Sequence, residues 1–292
     1  MRDKRATIID GKKSAAAVRE DARNRTLLLA GRGIVPCLAV ILVGTDPASI
    51  SYVTGKEKAL AAAGMLSRDI RLPADTPEST LLDLIAELNA DPCVHGILVQ
   101  LPVPQQIRAD LIIESIDPSK DVDGLHPVSM GNLLRGQPTF IPCTPAGIML
   151  LLQESGIETA GTHTVIIGRS HIVGRPLANL LSLPRANATV TLCHTGTNDL
   201  SHFTHDADIL IVAVAKPAFV TADMVKTGAV VVDVGVNRVP APESPKGYRL
   251  CGDVDFEPVS EKASFITPVP GGVGPLTIAM LLRNVIQAAE RI

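Results

Sequence analysis

Apolar and polar positions form two patterns along this chain: short, continuously apolar runs and longer stretches with helical spacing. In the first half, two such runs predict strands at 37–44 and 95–101, and the more polar stretch 68–72 gives a weaker strand pattern. Two helices are predicted between and after them, one through Tyr52 and Lys56 that ends at Gly64 and one over 77–90. Continuous rather than alternating apolar runs are typical of strands buried on both faces of a sheet.

A second series of the same kind begins near Thr144. It predicts helices at 145–155 and 173–183, strands at 162–168, 188–193, 207–214, 228–235 and 264–268, and a C-terminal helix. Strands that alternate with helices favour parallel sheets. The predicted fold is therefore α/β, with two α/β lobes at 1–141 and 142–274 and an active-site cleft between them. The pattern alone leaves open which lobe carries the last helix, 275–292.

Composition and charge remove several classes of function. Aromatic residues are 2% of the chain, and the net charge is −3 with both signs interspersed. Nucleic-acid binding, which needs aromatic stacking platforms or basic stripes, is therefore not expected. Binding to a membrane surface is not expected either. No apolar run approaches the length of a membrane span.

Cysteine use and the N-terminus predict a cytoplasmic protein. Five cysteines, at 37, 93, 143, 193 and 251, form no CxxC pair, so reduced thiols are expected rather than disulfides or a metal site. The first ten residues, MRDKRATIID, are charged and lack the apolar core of a secretory signal.

A glycine-containing turn between a predicted strand and a predicted helix favours a nucleotide site. In VIIGRSHIVG, Gly168 and Gly174 lie where a dinucleotide pyrophosphate meets helix N-terminal amides, although a plain strand–helix turn has the same spacing. Ser170 offers a hydroxyl to a phosphate, and Arg169 and Arg175 add positive charge. These residues predict a Rossmann-type second lobe.

The next strand end predicts which cofactor binds. It reads Cys193-His194-Thr195 and has no acidic residue before Asp199. NAD-selective enzymes usually place an acid there for the ribose hydroxyls, so we expect NADP, with Arg169, His194 and Thr195 around its 2′-phosphate. Gly235 and Val236, after a later strand, either form an ordinary turn or pass close to the nicotinamide.

Tyr52 and Lys56 stand four residues apart, so a helix presents them on one face. A surface lysine beside a partly buried tyrosine would look the same. Short-chain dehydrogenases also use a Tyr-x-x-x-Lys pair, but there the pair follows the cofactor turn, whereas here it precedes that turn. Other polar groups follow strands or lie in loops, namely Gln100, Asp121, Asp123 and the 267–277 loop.

Over nearly its whole length the chain resembles the methylenetetrahydrofolate dehydrogenase/cyclohydrolase family. The matching segments are, in order, SYVTGKEKA, GILVQLPVP, KDVDGLHP, IPCTPAGI, VIIGRSHIVGRPLANLL, DVGVNR, GDVDF and ITPVPGGVGPLTIAMLL. The resemblance implies NADP-dependent oxidation of methylenetetrahydrofolate, then hydrolysis of the methenyl product to 10-formyltetrahydrofolate. It also implies tetrahydrofolate derivatives as partners, a homodimer, and return of the last helix to the first lobe.

The resemblance also implies roles for individual residues. Lys56 would be central to water addition, Gln100 would tune it, Tyr52 would orient the folate, and Asp123 would hold the pterin. The rest of the folate cleft would be Val99, Leu101, Pro270, Gly271, Gly272, Val273 and Gly274. An uncharged amine can activate water beside a cationic substrate, and a glutamine can bond that amine without adding charge. Departures from the family pattern are Gly55, which costs the helix about 1 kcal/mol, and His171.

Two rival functions stay open at this point. One is an NAD(P)-dependent dehydrogenase with two similar lobes that acts on another small substrate, such as an amino acid or shikimate. The other is a folate- or nucleotide-binding protein without catalysis. The Tyr52–Lys56 pair and the PVPGGVGP loop argue against the first, and intact Lys56, Gln100 and Asp123 argue against the second.

Overall fold

The computed structural model describes residues 5–244 and 247–291, which fold into two compact units. Unit 1 contains the described residues up to Ala15 together with Thr144–Thr277. Unit 2 contains Ala16–Cys143 together with the described residues from Ile278 onward. The lobe boundaries predicted from the sequence stay predictions, and residues 1–4, 245, 246 and 292 of those lobes lie outside the described residues.

The elements follow one another in the alternating order that the sequence predicts. The strands are β1 (Thr7–Ile8), β2 (Cys37–Val43), β3 (Leu66–Leu72), β4 (Gly96–Val99), β5 (His163–Ile167), β6 (Thr189–Cys193), β7 (Ile209–Val212), β8 (Val230–Asp233), β9 (Asn237–Pro240), β10 (Tyr248–Cys251) and β11 (Phe265–Ile266). The helices are α1 (Gly11–Ala30), α2 (Pro47–Ala62), α3 (Glu78–Ala90), α4 (Ala109–Ser115), α5 (Pro127–Leu134), α6 (Cys143–Glu154), α7 (Gly174–Ser182), α8 (Leu200–His205), α9 (Phe256–Ser260) and α10 (Gly274–Ala289), with a 3-10 helix at Ala222–Met224.

Each predicted strand and helix is present, but most strands are shorter than predicted. The predicted strand 95–101 ends at Val99, and the predicted strand 264–268 is only Phe265–Ile266. After β7 and β8, the apolar residues Val214 and Val234 lie beyond the last ladder pair, Val212 with Asp233, so an apolar run can overestimate the length of a strand. The sequence patterns did not predict β1, α1, α4, α5, α8, α9 or the β9–β10 pair.

Unit 2 is built on a three-stranded parallel sheet in the order β3-β2-β4. The central strand, β2, is buried at all seven positions, as its continuously apolar sequence predicts. One face packs in an apolar cluster that includes Ile41, Ile85, Ile97 and Ile112. This core fixes the carboxyl ends of β2 and β4, where the polar residues of interest begin.

Helix α2 begins and ends with local signals that are visible in the sequence. Pro47 occupies its first turn, and the carboxylate of Asp46 accepts a hydrogen bond from the backbone N–H of Ser49 at 2.7 Å. After the helix, Gly64 adopts a φ of 76°, the left-handed conformation that commonly follows a helix end. Val53 and Leu60 are buried, which sets the rotation of the helix about its axis.

Unit 1 contains a six-stranded sheet in the order β1-β11-β8-β7-β5-β6. Each neighbouring pair in it is parallel. The strand order reverses at β5, which has β6 on one side and β7 on the other. This is the Rossmann arrangement, so the predicted sheet type is confirmed, and ligands of such sheets bind beyond the carboxyl ends of the strands at the reversal.

The described residues contain neither a membrane-spanning helix nor a cluster of metal ligands. None of their helices combines the length and apolarity needed to cross a membrane. Among the same residues, no group of three or more His, Cys, Asp or Glu side chains is arranged to hold a metal ion.

Candidate active site

Lys56, on α2, is hydrogen-bonded to Gln100, the residue that follows β4. Its Nζ donates to Oε1 of Gln100 at 2.9 Å. The amide of Gln100 is itself oriented, because its Nε2 donates to the carbonyl of Leu101 at 2.7 Å and its backbone N–H donates to Ile41 at 2.8 Å. The amine of Lys56 therefore meets a neutral acceptor, and a glutamine rather than a carboxylate sets its direction.

Tyr52 lies one helical turn before Lys56, on a part of α2 that the core leaves uncovered. Its exposed fraction is 51%, whereas its neighbour Val53 is fully buried. A half-exposed ring on the turn next to an oriented amine can lie against a flat ligand. Of the two other predicted folate residues near Gln100, Val99 is buried as the last residue of β4 and Leu101 is partly buried.

Asp123 lies in a loop that a buried neighbour, Asp121, organises. Asp121 is 2% exposed and accepts hydrogen bonds from the backbone of Leu125 and His126 and from Oγ of Ser129. Desolvation by burial raises the pKa of Asp121 above its ordinary value, although these three donors oppose the shift. Asp121 thus acts on the shape of the loop, while Asp123 is only partly buried and can reach a ligand.

Cys143 is a buried residue whose thiol interacts electrostatically with both Asp123 and Lys56. Its thiol is buried, and desolvation raises its pKa well above the ordinary value. The carboxylate of Asp123 raises this pKa further, whereas the charge of Lys56 lowers it. Its Sγ lies 3.8 Å from the carbonyl oxygen of Val122, the residue before Asp123, so Cys143 packs beside the Asp123 loop while also interacting electrostatically with Lys56.

Asn284, on α10, is a polar residue of this neighbourhood that the sequence analysis missed. It is 7% exposed, and its Nδ2 donates to the carbonyls of Val122 at 2.8 Å and Ile141 at 3.0 Å. The only signal in the sequence is one amide within an apolar helical stretch, LLRNVI. A buried amide needs partners, but the sequence does not say where they lie.

In unit 1, the predicted folate loop from Pro270 to Gly274 is closely packed on the chain's N-terminal segment. A Cβ at Gly11 would lie 1.8 Å from the carbonyl oxygen of Gly272. Gly271 has a φ of 117°, and the backbone N–H of Gly272 donates to Pro268 at 2.8 Å. Pro270 is exposed, Val273 is buried, and Gly274 begins α10. Bare backbone is therefore required at Gly11 for this contact, and at Gly272 because its Cβ would lie 2.7 Å from the carbonyl oxygen of Pro268.

The predicted cofactor turn also requires glycine at two positions, where a side chain would not fit. A Cβ at Gly174, the first residue of α7, would lie 1.8 Å from the carbonyl oxygen of Gly168, and a Cβ at Gly168 would lie 2.2 Å from that of Ala213. Ser170 accepts a hydrogen bond from the backbone of Val173 at 3.1 Å. The remaining predicted residues of this turn are exposed, namely Arg169 and Arg175. A tight turn lined by cations at a helix N-terminus suits a pyrophosphate.

His194 and Thr195 follow β6, next to the turn after β5. Ile167 pairs with Cys193, so Gly168 and His194 leave adjacent strands at the same level. Nδ1 of His194 accepts the backbone N–H of Gly196 at 3.0 Å, which leaves the proton of the neutral ring on Nε2. Thr195 is exposed. The side chains of His194 and Thr195 therefore offer hydrogen-bond donors at the position where a 2′-phosphate is expected.

Gly235 and Val236 follow β8 at the same edge of the sheet. Val236 is 45% exposed, whereas Gly235 is buried and has no room for a side chain, since its Cβ would lie 2.2 Å from the carboxylate of Asp253. Asp233 and Asp253 are buried carboxylates that the sequence analysis did not single out. Desolvation raises the pKa of Asp233 to about 6.

Comparisons with known proteins agree over both parts of the chain. A family model described as the catalytic domain of tetrahydrofolate dehydrogenase/cyclohydrolase matches residues 9–123, and the model of the NAD(P)-binding domain of the same enzymes matches residues 142–292. The chain is 56% identical over 287 residues to the "Bifunctional protein FolD" of Syntrophus aciditrophicus, with 98% of each chain covered.

Two solved structures are similar over nearly their full length. One is the bifunctional FolD methylenetetrahydrofolate dehydrogenase/cyclohydrolase of Campylobacter jejuni, with 50% identity, a TM-score of 0.93, and coverage of 98% of this chain and 99% of that one. The other is the Trypanosoma brucei FolD enzyme complexed with NADP and an inhibitor, with 38% identity, a TM-score of 0.94, and coverage of 99% and 98%.

Proposed function

Because the chain belongs to the tetrahydrofolate dehydrogenase/cyclohydrolase family, we propose that it catalyses two coupled steps of one-carbon metabolism. The first is oxidation of 5,10-methylenetetrahydrofolate by NADP to the 5,10-methenyl cation. The second is hydrolysis of that cation to 10-formyltetrahydrofolate. The observation that carries the proposal is the hydrogen bond from Lys56 to Gln100 in the neighbourhood of Asp123.

The residues of unit 1 fit NADP. The two glycines of the 168–174 turn leave space that a Cβ would fill, and Arg169, Arg175 and His194 supply positive charge or donors for phosphates. When bound, NADP supplies the acceptor for the hydride that leaves the methylene carbon. The contribution of the chain is to fix the position of that acceptor, through the turns after β5, β6 and β8.

In the hydrolytic step, Lys56 acts on a water molecule. A neutral amine accepts one proton of the water as the water oxygen bonds to the methenyl carbon, which gives a neutral adduct. The adduct opens when the bond from this carbon to N5 breaks, N5 takes up a proton, and the hydroxyl group loses its proton to become the formyl C=O. Gln100 accepts one N–H of Lys56, which directs the amine and leaves its lone pair to face the water. A carboxylate in place of Gln100 would favour the protonated, inactive amine.

Asp123 and Tyr52 hold the substrate. The pterin ring presents neighbouring N–H donors, which match the two acceptor oxygens of a carboxylate. Tyr52 offers a half-exposed ring one turn from Lys56, on which a flat heterocycle can stack. Val99, Leu101 and the 270–274 loop complete the proposed folate-binding residues.

The homodimer and the cytoplasmic location belong to the same proposal. In unit 2, β3 pairs with β2 within the described residues and lies at the end of its sheet, and Leu66 on it is 56% exposed. The unpaired backbone N–H and C=O groups of an edge strand offer a template for pairing with a second copy. Light scattering on the purified protein tests this assembly.

The decisive experiment is a spectroscopic assay with methylenetetrahydrofolate and each nicotinamide cofactor, following methenyl formation and decay. We expect turnover with NADP to exceed turnover with NAD. Lys56→Met should abolish methenyl hydrolysis and leave the fold intact by circular dichroism. Normal hydrolysis by that variant would refute the role of Lys56, and absence of any turnover in the unmodified protein would favour a binding protein instead.

A further inference from the structure

The strand order of unit 1 identifies one crevice at the carboxyl edge of its sheet. The order reverses at β5, which lies between β6 and β7, and ligands of such sheets bind outside the carboxyl ends of the strands at this reversal. The two loops are in close contact, because a Cβ at Gly168 would lie 2.2 Å from the carbonyl oxygen of Ala213. A group that fixes the conformation of the loop after β7 therefore also fixes the backbone against which the cofactor turn packs.

That loop is held by a single buried carboxylate, Asp253, which is fully buried. Its Oδ2 accepts the backbone N–H groups of Val214 at 2.7 Å and Ala215 at 2.9 Å. Its Oδ1 accepts the backbone N–H of Lys216 at 2.9 Å and Nδ2 of Asn237 at 2.8 Å. A carboxylate has about four lone-pair sites, and here four donors occupy them.

The loop needs this support because its backbone is unfavourable for its residues. Ala215 has a φ of 53° and Ala218 a φ of 48°, in the left-handed region that residues with a Cβ rarely adopt. Successive N–H groups in such a conformation point to one side and create an anion-binding concavity. In this chain the anion is provided internally, by Asp253.

Asp253 is itself held in place by the segment after β8. Its backbone N–H donates to Oδ1 of Asp233 at 2.9 Å, and the same oxygen accepts the backbone N–H of Gly235 at 2.9 Å. A Cβ at Gly235 would lie 2.2 Å from the Asp253 carboxylate. The loops after β7 and β8 thus share one buried support, with no space for the carboxylate to move toward Gly235.

We propose that Asp253 is a positioning residue for the nicotinamide cofactor, which fixes the loop after β7 against the turn at Gly168. The proposal rests on the proposed function, since it takes NADP as the ligand. Asp253 does not touch the cofactor in this account. It acts through the backbone of residues 213–216, which form the far side of the crevice.

The isosteric variant Asp253→Asn tests this directly. Each carboxylate oxygen of Asp253 accepts hydrogen bonds from two donors. In the asparagine variant an NH₂ group replaces one of these oxygens, whichever way the amide is turned. That NH₂ group then faces two donors from which it cannot accept. The variant therefore loses at least two hydrogen bonds without any change in volume. We expect the Kd for NADP, measured by fluorescence or calorimetry, to rise about tenfold or more, a loss of the size expected for hydrogen bonds to a charged group.

The second activity of the enzyme supplies the internal control. Methenyl hydrolysis, assayed without NADP, should stay within about twofold of the unmodified enzyme, since the loop after β7 is expected to act on the cofactor. The matched control is Asp255→Asn, which makes the same change two residues away at a carboxylate without a side-chain capping bond. It should leave both the Kd for NADP and hydrolysis unchanged.

Each outcome decides the proposal. An unchanged Kd for NADP in a hydrolytically active Asp253→Asn enzyme overturns it, and so does a parallel loss of NADP binding and hydrolysis, which indicates a general structural role. If that variant is insoluble, Asn237→Ala, which removes one donor, is expected to raise the Kd about threefold, and no change there overturns the proposal. Failure of the unmodified protein to bind NADP would instead contradict the proposed function.

Discussion

Asn284 links the C-terminal helix to the loop that carries Asp123, and its replacement by leucine gives a quantitative test of the site. Its Nδ2 is the donor to two carbonyls, those of Val122 and Ile141. Val122 immediately precedes Asp123. Leucine has a similar volume but no donor, so Asn284→Leu leaves these two carbonyls without that partner and introduces no large cavity.

The magnitude follows from the two lost hydrogen bonds. A buried acceptor left without its partner costs about 1–3 kcal/mol, so we expect the free energy of unfolding to fall by about 2–4 kcal/mol, given that Asn284 is 7% exposed. Movement of the 122–123 backbone should also weaken folate binding. A tenfold rise in the KM for the methenyl substrate corresponds to about 1.4 kcal/mol, and we expect a rise of about this size.

Two measurements separate these effects. Urea unfolding reports the loss of stability, and steady-state hydrolysis reports the KM for folate, while the Kd for NADP should not change. Gln287→Leu is the matched control, because it replaces an amide on the same helix that is only partly buried. If Asn284→Leu retained the stability and the KM of the unmodified enzyme, the assigned coupling between α10 and the Asp123 loop would be wrong.

Two further predictions concern Asp123 and Asp233. Asp123→Ala should raise the KM for folate much more than the Kd for NADP in the same titrations, and equal losses would indicate misfolding. Burial raises the pKa of Asp233 from 3.8 to about 6, so the native state holds this proton to higher pH than the unfolded chain does. Stability from this group is therefore full below the unfolded pKa and is lost as pH rises through about 6. The unfolding free energy of the enzyme minus that of Asp233→Asn should fall by about 2 kcal/mol from about pH 4.5 to about pH 7.5, and a pH-independent difference would refute the assignment.

The sequence alone was sufficient wherever structure depends on short-range patterns. The runs that became β2 and β7 are continuously apolar because both faces of a parallel strand are covered. The relation of Tyr52 to Lys56 follows from helical geometry, and Pro47 and Gly64 mark the ends of that helix locally. Elements without such patterns were missed, and β1, with two residues, is a strand only because β11 pairs with it.

Only the tertiary structure decided which polar groups meet across long stretches of chain. Asn284 bonds to a carbonyl 162 residues away, and Asp253 collects donors from a loop 37–39 residues earlier. In the sequence each is one amide or one carboxylate among many. A buried polar group must find partners, but its partners are chosen by the packing of the core, which local sequence does not encode. The sequence thus determined the elements with short-range patterns and the spacing of Tyr52 and Lys56 on one helix, whereas the tertiary structure determined the buried polar contacts that hold the surrounding loops.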